Sequence, residues 1–308
     1  MYNGVINVYK EKGFTSHDVV AKMRGILKQK KIGHTGTLDP DAEGVLPVCL
    51  GSGTKLCDML TDKSKEYVAT VLLGVATDTQ DLSGKVIKEA EVTVSEEEVR
   101  QVVNSFVGDI MQIPPMYSAL KVNGQKLYEL ARKGQEVERK ARPITIHEIE
   151  ILEMHLPEFK IRVNCSKGTY IRTLCNDIGE QLGCYGAMKT LLRTKVSPFA
   201  LENALTLEQI EQMRDEDKLS EVIVPVDVIF EKLPECIVKK EFQKLIDNGN
   251  SFYINQIATL DQKAEVSKAM LQDGYQARVY NEEHRFYGIF GWKAAEGRFV
   301  PEKMFLER

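Results

Sequence analysis

The sequence has 308 residues, of which 43% are hydrophobic, and a formal net charge of −4; this length corresponds to about two domains at roughly 150 residues each. No apolar run approaches the about 18 residues that a membrane-spanning helix needs, which excludes such a helix. The six cysteines include no CxxC pair, so their spacing fits neither a zinc site nor a disulfide framework. Together with an N-terminus that lacks the features of a secretory signal, they predict a cytoplasmic protein with reduced thiols.

Basic residues are concentrated in a few segments, although the chain as a whole is acidic. Five basic residues and no acidic ones lie between Lys22 and Lys31, and seven basic residues against three acidic ones lie between Lys121 and Arg142. Acidic residues are concentrated at 78–98 and 202–221 instead. Such segregation can form a basic groove that binds a polyanion. Scattered surface charge is the alternative that composition alone leaves open.

The predicted secondary-structure elements alternate between strands and helices over the first 200 residues. Apolar, β-branched runs indicate the strands, and capping residues followed by apolar positions at helical spacing indicate the helices. The strands are predicted at 5–9, 66–73, 144–152 and 160–166, and the helices after Thr15, Ser95 and Thr169. This alternation predicts a mixed α/β or α+β domain.

Two further regions differ from this alternating pattern. In the first, which follows residue 111, Pro114-Pro115 and Asn123-Gly124 interrupt the chain. We predict there a projecting, hairpin-like segment with a short helix, whose basic part is 121–142. Beyond Pro234, a short helix at 241–247 and alternating strands predict a small β-rich domain.

The stretch KIGHTGTLDPDAEGVLPVCLGSGTK, from Lys31 to Lys55, is predicted to be a rigid polar loop. Its GSGTK ending lacks the order of a Walker motif, and its single histidine stands among poor metal ligands, which argues against a metal site. Pro40 restricts the preceding Asp39 to extended geometry. A carboxylate aimed in this way can act as a nucleophile or a general base. It can equally cap its own loop as an Asx turn, and the loop alone leaves both interpretations open.

Four motifs in order resemble the bacterial TruB family of tRNA pseudouridine-55 synthases. They are GHTGTLDPDAEGVLPV, EYVATVLLGVATDTQDLSG, QIPPMYSALKVNGQKLYELARKG and CSKGTYIRTLCNDIG. LIDNG, ARVYNEE and YGIFGW, near the C-terminus, look like the PUA-type RNA-binding domain that many members carry. The resemblance implies an α+β pseudouridine synthase fold, with a mixed, largely antiparallel sheet flanked by helices, over residues 1–233. It also implies a PUA-like domain over residues 234–308.

The resemblance further implies that the chain isomerises one uridine in the T loop of tRNA, and it assigns roles to individual residues. Asp39 would be the nucleophile, attacking either carbon 6 of the ring or carbon 1′ of the ribose. Tyr67 would stack on the flipped-out uracil and move a proton late in the reaction, and His34 would fill the space that the flipped nucleotides vacate. Tyr170 and Arg172 would pack against the base and pair with Asp39. Leu192, in LLRT, matches an apolar position near the base.

The implied reaction needs no cofactor and no metal, and the expected partner is the tRNA T stem-loop. A tRNA-sized substrate and the lack of a coiled-coil pattern predict a monomer. Three other functions remain as alternatives: an RNA-binding or tRNA-folding protein without catalysis, the enzyme subunit of a guide-RNA particle, and a glycosidase that pairs two carboxylates. Retention of Asp39, Tyr67 and Arg172 argues against the first alternative. The chain also lacks the lysine-rich tail that is usual in the second.

Overall fold

A mixed sheet of nine strands forms the centre of the larger part of the chain. The computed structural model describes residues 1–122, 124–260 and 271–306. The strands up to residue 200, including two small separate pairs, are β1 (Gly4–Lys10), β2 (Ile32–His34), β3 (Glu43–Leu50), β4 (Lys65–Leu73), β5 (Val75–Thr77), β6 (Val86–Glu89), β7 (Gly108–Gln112), β8 (Lys121–Val122), β9 (Gln125–Lys126), β10 (Arg142–His155), β11 (Glu158–Cys165), β12 (Gly186–Val196) and β13 (Phe199–Ala200).

The main path of this sheet runs β1-β3-β12-β4-β11-β10-β7. The pairing of β12 with β3 is parallel, and the other pairings along the path are antiparallel. The helices of the described residues are α1 (Ser16–Leu27), α2 (Cys57–Thr61), α3 (Glu96–Ser105), α4 (Leu127–Arg132), α5 (Ile171–Gln181), α6 (Leu207–Asp215) and α7 (Gln243–Asp247). None of them is long and apolar enough to cross a membrane.

Local sequence signals account for the helices that pack on the sheet. Thr15, after which a helix is predicted, forms a capping box with Asp18 at α1. Ser95 and Glu98 form another at α3, and in each case backbone donors that the first turn leaves free are satisfied. The apolar face of α1 packs with that of α6 against β1 and β3. Helices α3 and α5 pack against β4, β10 and β11 in a second core.

The predicted strands at 5–9, 66–73, 144–152 and 160–166 are confirmed as β1, β4, β10 and β11. The sequence did not reveal β12, which pairs with both β3 and β4 at the centre of the sheet. Its pattern is irregular because two register shifts interrupt the pairing with β4. The stretch from Lys31 to Lys55, predicted to be a loop, contains β2 and β3, so only its middle, 35–42, connects two strands.

The interrupted segment between β7 and β10 has a small apolar core of its own. Met116, Leu127 and Leu130 form this core, with Tyr117 packed against it. The hairpin of β8 and β9, followed by α4, confirms the predicted hairpin with a short helix. Of the predicted Asn123-Gly124 turn, Asn123 lies outside the described residues.

A second sheet begins at Glu235. Its strands are β14 (Glu235–Val238), β15 (Phe252–Tyr253), β16 (Ile257–Leu260), β17 (Gln276–Asn281), β18 (Phe286–Lys293) and β19 (Arg298–Met304). They follow the order β15-β19-β18-β17-β14-β16 around an aromatic core that contains Phe252, Trp292 and Phe299. The predicted α+β class with a mixed, largely antiparallel sheet and an added β-rich part is confirmed. Residues 261–270 and 307–308 of the predicted C-terminal domain lie outside the described residues.

Two glycines allow the cost of backbone strain to be compared with the gain from helix propensity. Gly44 has φ +104°, and a Cβ there would lie 2.2 Å from the Arg193 carbonyl oxygen, where β3 meets β12. Gly25 lies inside α1 with open space around it. We expect Gly44→Ala to lower the free energy of unfolding by about 1–3 kcal/mol through backbone strain. We expect Gly25→Ala to raise it by about 0.5–1 kcal/mol through helix propensity. Urea unfolding of both variants measures the two effects, and equal shifts would contradict this account.

Candidate active site

The Arg172 guanidinium gathers groups from distant parts of the chain. Its Nε lies 3.1 Å from Asp39 Oδ2, and its Nη2 donates to Asp39 Oδ1 at 3.4 Å, so the two side chains pair through two contacts. Nη1 lies 3.5 Å from Asp81 Oδ2. The remaining hydrogen bonds go to the carbonyl oxygens of Thr79 and Tyr117. The planar fork of arginine suits such shared recognition, which a lysine cannot reproduce.

Arg172 reaches this position because α5 begins beside β7. Tyr170 is the N-cap of α5 and has no capping side chain of its own. The buried Gln112 amide accepts from Tyr170 N at 2.9 Å and donates to Tyr170 O at 3.0 Å, which fixes the entrance of the helix. The predicted N-cap, Thr169, instead donates its hydroxyl to Ser166 O. That capping assignment was therefore wrong by one residue.

A fully buried lysine holds the loop that carries Asp39. Lys10 Nζ donates to the carbonyl oxygens of Pro40, Phe14 and Glu11 at 3.1, 2.6 and 3.1 Å. Three donors are all that an ammonium group offers, and here each has an acceptor. Burial lowers the pKa of Lys10 to about 8, although the nearby Asp39 opposes that shift. Lys10 therefore fixes the backbone immediately after the candidate nucleophile.

The Asp39 carboxylate is restrained but still accessible to a ligand. Its side chain is 39% exposed, whereas that of Arg172 is 7% exposed. Burial raises the pKa of Asp39, the Arg172 guanidinium opposes this, and the Asp81 carboxylate adds to it. The Arg172 guanidinium thus favours the ionised carboxylate, which is the form that can attack a carbon atom or accept a proton.

Tyr67 lies on the buried face of β4, together with Ala69 and Val71. Burial raises the pKa of its hydroxyl, and Arg193, within hydrogen-bonding reach, opposes that increase. Asp39 is close enough to influence the same pKa. The structure therefore brings Tyr67, Asp39, Tyr170 and Arg172 into one region, as the sequence analysis predicted for the site; the roles of these residues stay predictions.

His34 ends β2, immediately before the loop that carries Asp39. Its Nδ1 accepts from Gly36 N at 3.3 Å, and its ring meets the His17 ring edge-on at a centroid distance of 5.3 Å. Burial, followed by the charges of His17 and Arg193, lowers the pKa of His34 to about 4. His34 is therefore neutral at pH 7, which suits a side chain that packs against bases rather than one that binds phosphate by charge.

The structure does not bring Leu192 to this region. Leu192 pairs with Val68 on β4, between Thr190 and Thr194, whose hydroxyls bond to Thr70 and Glu66. Because successive strand residues point to opposite faces, Leu192 lies on the face opposite Tyr67. The prediction was out of register by one residue, since Leu191 pairs with Ala69 and shares the buried face of Tyr67.

Asp81 also belongs to this region, although no sequence pattern pointed to it. It lies in the turn between β5 and β6, where Oδ1 accepts from Thr79 Oγ1 at 2.7 Å, Ser83 N at 3.0 Å and Ser83 Oγ at 2.5 Å. These bonds leave Oδ2 for Arg172. Asp81 lies in the DLSG ending of the second motif, and an aspartate that bonds to its own turn gives no further signal in sequence.

The shared guanidinium makes a prediction about stability. We expect Arg172→Met to lower the free energy of unfolding by about 3 kcal/mol, because two carboxylates then face each other without a counter-charge. Adding Asp81→Asn to that variant should recover part of the loss, because it removes one of the two charges. Urea unfolding followed by circular dichroism measures both variants, and the fluorescence of Trp292, the single tryptophan, reports the second sheet as an internal reference.

A matched control is Arg162→Met, which removes an exposed arginine whose partner is Glu150. We expect a change below about 1 kcal/mol, because solvent screens such a pair. If Arg172→Met costs no more than this control, the guanidinium does not hold the site together.

Two family profiles and several curated relatives match this chain. A profile described as the N-terminal domain of TruB family pseudouridylate synthase matches residues 24–171, and one described as the tRNA pseudouridylate synthase B C-terminal domain matches residues 172–231. The chain is 53% identical to tRNA pseudouridine synthase B of Lachnoclostridium phytofermentans, over 99% of this chain and 100% of the relative. It is 47% identical to the Clostridium tetani protein of that name, over 96% and 97%.

Among solved structures, the chain superposes with a TM-score of 0.72 on one titled as the crystal structure of a Cbf5-Nop10-Gar1 complex. The two chains are 29% identical, and the match covers 99% of this chain and 85% of the other. A second, titled as an H/ACA RNP bound to a substrate RNA containing 2'-deoxyuridine, matches with a TM-score of 0.70 and 28% identity over 98% and 85%. Identities of 47% and 53% extend over nearly the full length of these curated relatives. The chain therefore belongs to the TruB family of pseudouridylate synthases.

Proposed function

We propose that this protein converts uridine 55 in the T loop of tRNA to pseudouridine, with Asp39 as the nucleophile. The observation that carries the proposal is the pairing of Asp39 with Arg172, which orients the carboxylate and favours its ionised form while leaving it open to a ligand. The relatives named tRNA pseudouridine synthase B support the choice of substrate. Isomerisation conserves every atom of the nucleoside, so the reaction balances without an oxidant, a nucleotide or a metal ion.

The remaining side chains have distinct proposed roles around a base that has left its stack. Flipping a nucleotide costs a few kcal/mol, and stacking on an aromatic ring returns about 1–3 kcal/mol. We assign that stacking to Tyr67 and further base contact to Tyr170. Neutral His34 occupies the space from which the nucleotide leaves. Asp39 attacks either carbon 6 of the ring or carbon 1′ of the ribose, and both routes remain part of the proposal.

We propose that residues 1–233 form the catalytic domain, that 121–142 within it contact RNA, and that 234–308 form a PUA-like RNA-binding domain. Exposed basic side chains of the segment 121–142 include Lys121, Lys133 and Lys140. Tyr128 also lies there, with its ring centroid 5.3 Å from Lys126 Nζ and 5.4 Å from Arg132 Cζ. Lysines of this kind contact phosphates without reading sequence. We further propose that the protein acts as a monomer in the cytoplasm.

Asp39→Asn tests the nucleophile. We expect pseudouridine formation to fall by several orders of magnitude, because an amide cannot form the covalent bond, while RNA affinity stays within a few-fold of the unmutated protein. The assay incubates purified protein with an unmodified T stem-loop RNA and detects pseudouridine by alkylation that adds a mass tag. Asp41→Asn is the matched control, because Asp41 is an exposed residue two positions after Asp39 and its substitution removes the same charge. Undiminished modification by Asp39→Asn would exclude Asp39 as the nucleophile.

The same assay separates the alternatives. If the unmutated protein binds the stem-loop fully but never modifies it, the protein is an RNA-binding or tRNA-folding protein without catalysis. Modification that occurs only when a guide RNA is added indicates the subunit of a guide-RNA particle. We expect modification by the protein alone at a single uridine.

Lys133→Gln tests the basic segment. Each phosphate contact releases counterions, so we expect weaker binding of the stem-loop and a slope of log affinity against log salt that is smaller by about 1. Lys218→Gln is the control, because Lys218 pairs with Glu216 near the end of α6, in another part of the catalytic domain. Equal salt slopes for Lys133→Gln and the unmutated protein would place Lys133 outside the RNA contact.

A further inference from the structure

Arg193 on β12 is the largest fully buried side chain of the described residues, with 1% of its surface exposed. Its Nε donates to Val45 O at 2.7 Å, and its Nη2 donates to Gly36 O at 3.3 Å. The third partner is the hydroxyl of Tyr67. Unlike Arg172, it has no carboxylate partner within the part of the chain that the structure describes. A buried cation without a counter-charge is costly, and the phenol oxygen is the one neighbour that can become negative.

The contact between Tyr67 and Arg193 is fixed by the strand pairing and by the other hydrogen bonds of Arg193. Tyr67 and Arg193 stand opposite each other on the antiparallel strands β4 and β12, where side chains of a pair lie close together. The phenol oxygen accepts from the guanidinium, so this contact does not involve the proton of the phenol itself. Through Gly36, the same guanidinium holds the loop that carries Asp39. The orientation of Tyr67 is therefore set relative to that of the nucleophile.

The charged groups around Tyr67 act in opposite directions. Burial raises the pKa of Tyr67, and Cys165 and Asp39 add to the increase, whereas Arg193 lowers it. Lys65 lies near Arg193 and is itself buried, which lowers the pKa of Lys65 to about 8. Among the groups that face the phenol, the guanidinium is thus the one that favours its ionised form.

We propose that Arg193 is a positioning residue, whose guanidinium stabilises negative charge on the Tyr67 oxygen so that Tyr67 can take the proton that leaves carbon 5 of the base. The inference rests on the proposed function. Once a bond joins carbon 5 to carbon 1′ of the ribose, carbon 5 still carries its hydrogen. That C–H bond breaks, its electron pair restores the double bond between carbons 5 and 6, and the proton goes to Tyr67, which had lost its own to water.

The displaced electrons complete the balance by one of two routes. If Asp39 had bonded to carbon 6, N1 kept the electron pair of the broken glycosidic bond and took a proton from water, and the bond between Asp39 and carbon 6 now breaks, so that Asp39 leaves as a carboxylate. If Asp39 had bonded to the ribose, it left as a carboxylate when carbon 5 bonded to carbon 1′, and the electrons now end on N1 of the ring, which takes a proton from water. Tyr67 and Arg193 have the same task in both routes.

Two substitutions separate the charge of Arg193 from its shape. Arg193→Lys keeps the charge and Arg193→Gln removes it, and both lose the planar fork. The measurement compares the rate of pseudouridine formation on stem-loop RNA that carries hydrogen or deuterium at carbon 5 of the target uridine. We expect Arg193→Gln to slow the reaction roughly tenfold for each unit by which the pKa of Tyr67 rises, with a larger isotope effect than the unmutated protein. Arg193→Lys should stay near the unmutated protein in isotope effect.

Arg214→Gln is the control, because Arg214 also donates to a backbone carbonyl oxygen, that of Ile26, but lies on α6. We expect it to leave the isotope effect unchanged. Equal isotope effects in Arg193→Lys and Arg193→Gln would overturn the proposal, since a role in packing alone does not distinguish charge.

A second measurement leaves Arg193 in place and needs no catalysis. A fluorinated tyrosine is introduced at position 67 or at position 287, and its ionisation is followed by fluorine NMR. Tyr287 is also buried, but its hydroxyl donates to Asp247 at 2.7 Å, and its pKa is raised to about 12. We expect the phenol at 67 to ionise at the lower pH, and the reverse order overturns the proposal. If the unmutated protein forms no pseudouridine, the proposed function fails, while this comparison still tests the contact between Arg193 and Tyr67.

Discussion

The guanidinium of Arg172 is the interaction on which the arrangement of the site depends. It receives Asp39 from the loop after β2, Asp81 from the turn between β5 and β6, and the Tyr117 carbonyl from the segment before α4. A buried ion pair adds little net stability, because desolvation offsets much of the attraction between the charges. Its contribution here is geometric. Three segments far apart in the chain can meet at one planar group in only one relative arrangement.

Two arginines near the candidate nucleophile therefore act in different ways. Arg172 has two carboxylate partners, so its charge is balanced and its effect is to orient Asp39. Arg193 contacts two backbone carbonyls and a phenol, so its charge is not balanced in the described residues. The first arrangement is typical of a group that holds a reacting carboxylate in place. The second is suited to charge that appears only during a reaction, since a preformed cation needs no reorganisation when that charge develops.

The parts of the fold that follow from local chemistry could be predicted, and those that depend on the sheet could not. The capping boxes at Thr15 and Ser95 and the alternation in β4 are signals within a few residues of chain. β12 lacks such a signal because polar residues lie on both of its faces. Arg193 is buried on one face, and Thr190 on the opposite face bonds to a polar neighbour. A basic side chain in a strand normally indicates solvent, and only the register with Tyr67 shows that Arg193 is internal.

The same difference between local signals and long-range contacts explains which residues of the candidate site could be predicted. Asp39 was singled out because Pro40 follows it, glycines surround it, and its motif resembles that of the TruB family. Asp81 did not, because its bonds to Thr79 and Ser83 resemble those of any aspartate in a turn. What distinguishes Asp81 is its second oxygen, which contacts Arg172. The chemistry of the site thus depends on contacts between segments. Nη2 of Arg172 donates both to Asp39 and to the Tyr117 carbonyl, and so joins the proposed nucleophile directly to the segment with the exposed lysines.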